Sequence, residues 1–283
     1  MPKVSVLMPV YKTDEIHLRG AIESILNQTF TDFEFLILED CPNDDRENIV
    51  KTYNDDRIVY FKNEKNLGIT PSRNKLIEAA KGEYLAVMDH DDISLPERFA
   101  EEVRYLDEHP DVGVVSCWAE YFSKRKAEGV TFPETTDKIE MALMYNCNVL
   151  HPASMIRKSV LDKFNIRYEE QFSPAEDYAL WCRLIGKTKF YNIPKILFRY
   201  RKHEKNTSKL QKQKMDDVSI QIRNFVQKDH PELFDYVTKN LKYVVRMRLF
   251  GIIPIGKFIQ TGNKVCKIFK YLPFIKLKLK VRL

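Results

Sequence analysis

Short, nearly uninterrupted apolar runs recur through the first 120 residues: Val4 to Val10, Phe33 to Leu38, Ile58 to Phe61, Tyr84 to Met88 and Val112 to Ser116. Their length and content are those of strands buried on both faces. Between them the spacing becomes helical. Over residues 15–27, Ile16, Ala21, Ile22, Ile25 and Leu26 share one face, and helices are predicted near 44–54, from Pro71 to Ala80 and from Pro96 to Glu108. This alternation predicts an α/β fold, a mostly parallel open sheet flanked by helices. In such sheets ligands bind in the crevice beyond the carboxyl ends of the strands. Those ends carry Glu39-Asp40, Asn66-Leu67-Gly68 and Asp89-His90-Asp91-Asp92.

The last of these packs three carboxylates into four residues. Such crowding is repulsive unless a cation relieves it, and the expected guest is Mg²⁺ or Mn²⁺ carrying a diphosphate. The alternative is an acidic turn that caps the helix opening at Pro96. Asp40, at the end of a buried strand, is either a reader of a ring N–H such as that of uracil or an ordinary turn acid. Arg73 opens a helix where N–H groups favour anions, so it is a candidate phosphate contact, or simply a first-turn arginine. Glu176 and Asp177 begin an apolar-faced helix containing Trp181. A carboxylate there suits a general base, although acids in a first turn also satisfy the helix dipole. His151 and His203 are candidate phosphate or metal contacts, with a structural role as the alternative. No Gly-x-Gly-x-x-Gly follows the first strand and no P-loop motif occurs, so neither a dinucleotide fold nor a P-loop is supported.

Charge changes the picture at the far end. The net charge of +6 conceals an asymmetry: residues 241–283 hold 11 of the 46 Lys and Arg and none of the 40 acids. Large apolar side chains interleave with these cations from Leu249 to Ile255 and from Ile268 to Ile275, the pattern of an interfacial membrane segment or of a helical subdomain with solvated lysines. A boundary near the polar stretch 201–215 divides the chain into a catalytic domain, 1–208, and a helical basic region, 209–283, expected to contact an anionic membrane surface. No base-reading nucleic-acid motif accompanies the tail. Five widely spaced cysteines without a Cys-x-x-Cys pair fit a reducing compartment, and no apolar stretch of 18 residues occurs. The expectation is a cytoplasmic protein, peripheral on the inner face of the cell membrane.

Five ordered segments over residues 3–208 together resemble the inverting glycosyltransferases of family 2, which have the GT-A fold: the opening Val4-Ser5-Val6-Leu7-Met8-Pro9-Val10-Tyr11, Ile25 to Phe30, Asn66-Leu67-Gly68 through Ser72-Arg73-Asn74, Asp89-His90-Asp91-Asp92, and Glu176-Asp177-Tyr178 through Leu184. The resemblance implies transfer of a sugar from a nucleotide-diphosphate donor to an acceptor hydroxyl with Mn²⁺ or Mg²⁺; a UDP-sugar is the expected donor, and the basic, apolar tail suggests a glycan or lipid-linked acceptor, as in cell-surface polysaccharide or lipopolysaccharide synthesis. The resemblance also implies that Pro9, Tyr11, Asp40, Arg73, Asp89 and His90 bind the nucleotide, that Asp91 ligates the metal and that Asp177 is the catalytic base. Glu176, His151, Trp181 and His203 are then candidate acceptor or phosphate contacts. Glu39 departs from the family, which often has Asp there. Two rivals are weaker: a sugar nucleotidyltransferase needs a Gly-rich loop after the first strand, and Pro9-Val10-Tyr11-Lys12-Thr13 has no glycine; a silent nucleotide-binding scaffold does not explain the intact acid set.

Overall fold

The computed structural model describes residues 1–41 and 46–239 in full, and the backbone alone at 240, 242–249, 253–261, 264–266 and 281–282. The chain divides into two compact units, Met1–Arg223 and Asn224–Leu283.

In the first unit the predicted alternation is realised as β1 (Val4–Val10), α1 (Glu15–Leu26), β2 (Phe33–Glu39), α2 (Arg46–Val50), β3 (Ile58–Lys62), α3 (Ile69–Ala79), β4 (Tyr84–Val87), β5 (Ile93–Ser94) and α4 (Arg98–Glu108). The unit continues with β6 (Val112–Phe122), β7 (Ala127–Val130), α5 (Thr136–Leu143), β8 (Met155–Arg157), α6 (Lys158–Lys163), α7 (Glu176–Leu184), β9 (Lys189–Arg201) and α8 (Thr207–Leu210), and α9 (Lys212–Asp229) runs across the division. One nine-stranded sheet has the order β3-β2-β1-β4-β8-β6-β9-β5, with β7 on β6. Strands β1 to β4 pair in parallel. The sheet is mixed from there on, because β8 runs antiparallel to both β4 and β6 while β6 and β9 are parallel.

Strands β1, β2 and β4 are buried along their whole length, which is why they read as continuous apolar runs. Helix α1 covers them with Leu18, Ala21, Ile22 and Ile25. Ile16, expected on that face, is 77% exposed; at the first turn of the helix it lies outside the stripe that Leu18 completes. Behind the end of β4, the fully buried Arg98 donates from Nη2 to the carbonyls of Val87 and Ser154 at 3.0 and 3.2 Å and pairs through Nε with Glu102 at 3.2 Å. The carbonyl anchor sits two residues before Asp89, so the acidic loop leaves the sheet from a fixed point.

In the second unit α10 (Pro231–Asn240) follows α9. From Lys242 the described backbone is strand where helix was expected: β10 (Lys242–Leu249), β11 (Ile253–Thr261), β12 (Lys264–Cys266) and β13 (Val281–Arg282), an antiparallel sheet ordered β12-β11-β10-β13. The period-two run Tyr243, Val245, Met247, Leu249 carries that preference. The expected contact of residues 241–283 with an anionic surface lies outside the residues whose side chains are described. Among the described residues no helix is long and apolar enough to cross a membrane.

Candidate active site

The register of the four parallel strands builds the site. Val10 lies opposite Glu39, Glu39 opposite Lys62, and Leu7 opposite Val87. The chain therefore releases Tyr11, Asp40 and Asn63 at one edge, with Asp89 two residues beyond the end of β4. Pro9 remains inside β1, buried and paired with Leu38, whereas Tyr11 is 42% exposed at the rim with the Lys12 ammonium 5.1 Å from its ring centroid.

Asp40 is held by three donors. Its Oδ1 accepts from Asn63 Nδ2 and the Leu67 N–H, and its Oδ2 from the Gly68 N–H, all at 2.8 Å. The acid thus ties the loop after β3 to the end of β2, and Gly68 can take this place because its φ of +89° is open to glycine. The adjacent Glu39 is the acid with spare capacity. It is wholly buried, accepts from the Tyr60 hydroxyl on Oε2, and has no partner for Oε1.

The acidic loop is closed from a distance by the end of β9. Arg201 donates its backbone N–H to Asp92 Oδ1 at 2.7 Å and its Nε to the Asp91 carbonyl at 2.6 Å. Two residues on, His203 Nε2 lies 2.7 Å from Asp91 Oδ2. The Lys205 N–H donates to His203 Nδ1 at 3.2 Å, which leaves Nε2 as the protonated nitrogen. His17 of α1 stacks on His203, centroids 5.6 Å apart and planes 18° from parallel, and Asp14 binds the Lys205 ammonium at 2.9 Å. Burial, then the charges of Asp91 and Asp89, push the Asp92 carboxyl well above its ordinary range, and burial raises Asp89 against the pull of Arg73. His90 is half-buried beside them with Nδ1 unpartnered.

These donors fit a divalent cation. Asp91 Oδ2 accepts the His203 Nε2 proton, which a cation held between the two would replace, Asp92 Oδ2 is buried without a partner, and carboxylate oxygens suit Mn²⁺ or Mg²⁺. Among the described residues no cage of three or more such side chains is preassembled, as expected where substrate phosphates and water complete the coordination.

Arg73 links this corner to the start of α7. Its Nη1 lies 2.5 Å from Glu176 Oε1 and its Nη2 3.4 Å from Asp89 Oδ1, with the Tyr168 ring 5.5 Å from its Cζ. The guanidinium is engaged by two carboxylates through Nη1 and Nη2, its Nε has no partner, and the residue is 9% exposed. Asp177 follows Glu176 in the first turn, half-buried, with the Tyr178 N–H donating to its Oδ1 at 2.7 Å. Burial first, and the Glu176 charge second, push its pKa up to about 6, while Arg73 pulls the other way. Such a carboxyl is ionised at neutral pH and still basic enough to take a proton.

Two expected contacts are corrected. His151 is 4% exposed, bonded through Nε2 to the Tyr168 hydroxyl at 2.7 Å, and burial holds its pKa well down. Trp181 is wholly buried, 5.8 Å from the His151 ring. Both are packed inside: Trp181 lies on the buried face of α7, and His151 lies in the turn before β8. Sequence reasoning missed Arg201 and His17, and no local signal reveals them: each acquires its role only through contact with the distant segment that carries Asp91 or His203.

A curled mixed sheet with acids at the carboxyl edge of its parallel half defines a class, the glycosyltransferases of GT-A fold. The profile described as Glycosyl transferase family 2 matches residues 5–164, and the chain belongs to that family. It is 35% identical over 227 residues to an uncharacterized glycosyltransferase of Methanocaldococcus jannaschii, covering 76% of each chain. Among solved structures, S. aureus TarS 1–349 in complex with UDP-GlcNAc superposes with a TM-score of 0.62 at 24% identity, over 71% of this chain and 59% of that one. The chain thus spans less than two thirds of the TarS fragment. The mannosyltransferase PcManGT from Pyrobaculum calidifontis, in complex with GDP-Man and Mn²⁺, superposes at 0.61 with 14% identity, over 84% of this chain and 70% of that one. These likenesses establish the fold.

Proposed function

We propose that this glycosyltransferase moves a sugar, with inversion, from a UDP-sugar to a hydroxyl of a glycan or lipid-linked acceptor in cell-surface polysaccharide or lipopolysaccharide synthesis, and that it depends on a divalent cation. The observation that carries the reading is the reach of one guanidinium, Arg73, to both Asp89 and Glu176, which brings the acids of a donor site within a side chain's length of a base at Asp177. Asp91 and His203 would hold Mn²⁺ or Mg²⁺, which when bound supplies positive charge to the departing diphosphate. Asp177 takes the proton of the acceptor hydroxyl as its oxygen bonds to the anomeric carbon, on the face opposite the breaking bond to the diphosphate. Reading of the base falls to the Glu39-Asp40 end of β2, where three donors fix the Asp40 carboxylate and Glu39 Oε1 has no donor. The complex with UDP-GlcNAc formed by TarS and the GDP-Man and Mn²⁺ of PcManGT are consistent with this chemistry.

A thermal-shift panel of UDP, GDP, CDP and TDP, each with and without Mn²⁺, tests the proposal. A ligand at 100 times its Kd stabilises by about 2.7 kcal/mol. UDP with Mn²⁺ is expected to give the largest rise, Asp91→Asn to remove the manganese dependence, and Glu39→Gln to weaken the UDP response. Asp40→Asn should instead lower Tm with no ligand present. No response to any of the four nucleotides would sink the reading.

A further inference from the structure

Arg73 is more elaborately held than a phosphate ligand needs to be. Asn74, the next residue on α3, clamps the backbone of Tyr168 from both sides, donating to its carbonyl at 2.9 Å and accepting from its N–H at 3.0 Å. The Tyr168 hydroxyl is in turn bonded to His151. One helix therefore supplies the guanidinium and also anchors the aromatic ring that covers it. Beneath that ring the cation meets Glu176, which is 3% exposed and has no partner for Oε2. A buried acid with one oxygen unbonded, next in sequence to Asp177, would oppose ionisation of its neighbour unless a cation countered it.

We propose that Arg73 is a positioning residue for transfer: by pairing with Glu176 it keeps the adjacent Asp177 carboxylate charged and ready to accept a proton, and through Asp89 it ties that readiness to the acidic loop of the donor site. The inference rests on the reading above that Asp177 is the base. Every group facing Asp177 bears on it. Glu176 shares its helix, Arg73 comes from α3, Asp89 from the end of β4, Tyr168 from the segment before α7, Cys147 from the loop after α5, and Cys182 from further along α7. Burial raises the thiols and the phenol, so these three stay neutral at physiological pH and the balance is struck among Glu176, Asp89 and Arg73. Arg73 is the cation of that set.

The test is a direct titration. Protein labelled with ¹³C at the aspartate carboxyl carbons is followed by NMR across pH, with the Asp177 resonance identified by its loss in Asp177→Asn. In the wild type its midpoint is expected at about 6. Glu176→Gln should lower the midpoint, Arg73→Gln should raise it by about one pH unit, and the double variant should return close to the wild type. Opposite movements in the two single variants are what a merely structural role would not give. Should Arg73→Gln fail to fold, Glu176→Gln and the double variant still decide: a midpoint that does not fall in the first, or that stays low in the second, overturns the proposal. Failure of the underlying reading looks different. Asp177→Asn would then keep wild-type transfer with the donor nucleotide sugar identified by the thermal-shift panel, whatever the titration gave.

Discussion

Asp177 carries opposed demands of stability and chemistry. Burial makes its charge costly, raising its pKa to about 6 against an ordinary 3.8. The folded state therefore binds its proton more tightly than the unfolded chain, and this residue's contribution falls as pH rises from about 4 to 6 and stays unfavourable above. Asp177→Asn should consequently raise Tm at pH 7.5, by an equivalent of at most about 3 kcal/mol, and the gain should vanish below about pH 4. Transfer should drop by about 10²–10⁴-fold while nucleotide binding persists. In the wild type kcat/KM should decline below about pH 6 as the base protonates. Calorimetry, thermal melts and rate measurements on the one variant check all of this; an unchanged Tm at pH 7.5 would contradict the burial of its charge. The acids were legible in the sequence as a set, but their division of labour was not. Asp40 and Glu39 are neighbours of like charge, and which one keeps a free oxygen depends on where Asn63, Leu67 and Gly68 direct their N–H groups.

At the scale of elements, the site depends on how closely strands and helices approach one another. Gly82 shows the tolerance: a Cβ there would meet the Ser5 backbone nitrogen at 2.5 Å and the Val4 carbonyl carbon at 2.7 Å. Neither contact is a flexible side chain that can swing aside. Gly82→Ala is expected to cost about 1–3 kcal/mol, the usual penalty of overpacking, read as a lower urea midpoint with an unchanged m-value. A loss under about 0.5 kcal/mol would mean that the entry to β4 can move away from β1. Helix α1 illustrates the limit of reading periodicity. Its apolar stripe was evident, yet Ile16 lies outside it and is exposed, because at a helix's first turn the chain is still entering the packed face. Likewise the first turn of α7 was recognised, but not that Trp181 and His151 pack together inside; the period of a helix defines its inner face without saying what lies beneath.

For the molecule as a whole, the parallel half of the sheet followed from the order of elements and the mixed half did not. Strand β9 lies between β6 and β5 and returns Arg201 and His203 to the acidic loop, 112 positions from Asp91 in the case of His203. The basic tail adds a property of the whole chain. With 11 cations and no acid in residues 241–283, and roughly 1 kcal/mol per basic residue close to an anionic surface, deletion of 241–283 should reduce binding to phosphatidylserine vesicles by at least about tenfold at 0.15 M salt in a sedimentation assay. Equal binding with and without the tail would overturn the expectation that residues 241–283 contact an anionic membrane. Local order along the chain was enough to specify the alternation of strand and helix, the crevice edge and the acids that line it, since burial on two faces leaves its mark residue by residue. The pairing of His203 with Asp91, the fork of Arg73 and the raised pKa of Asp177 arise from groups that meet only when the sheet closes. Contact and desolvation are properties of three-dimensional neighbours, and a linear pattern carries no record of them.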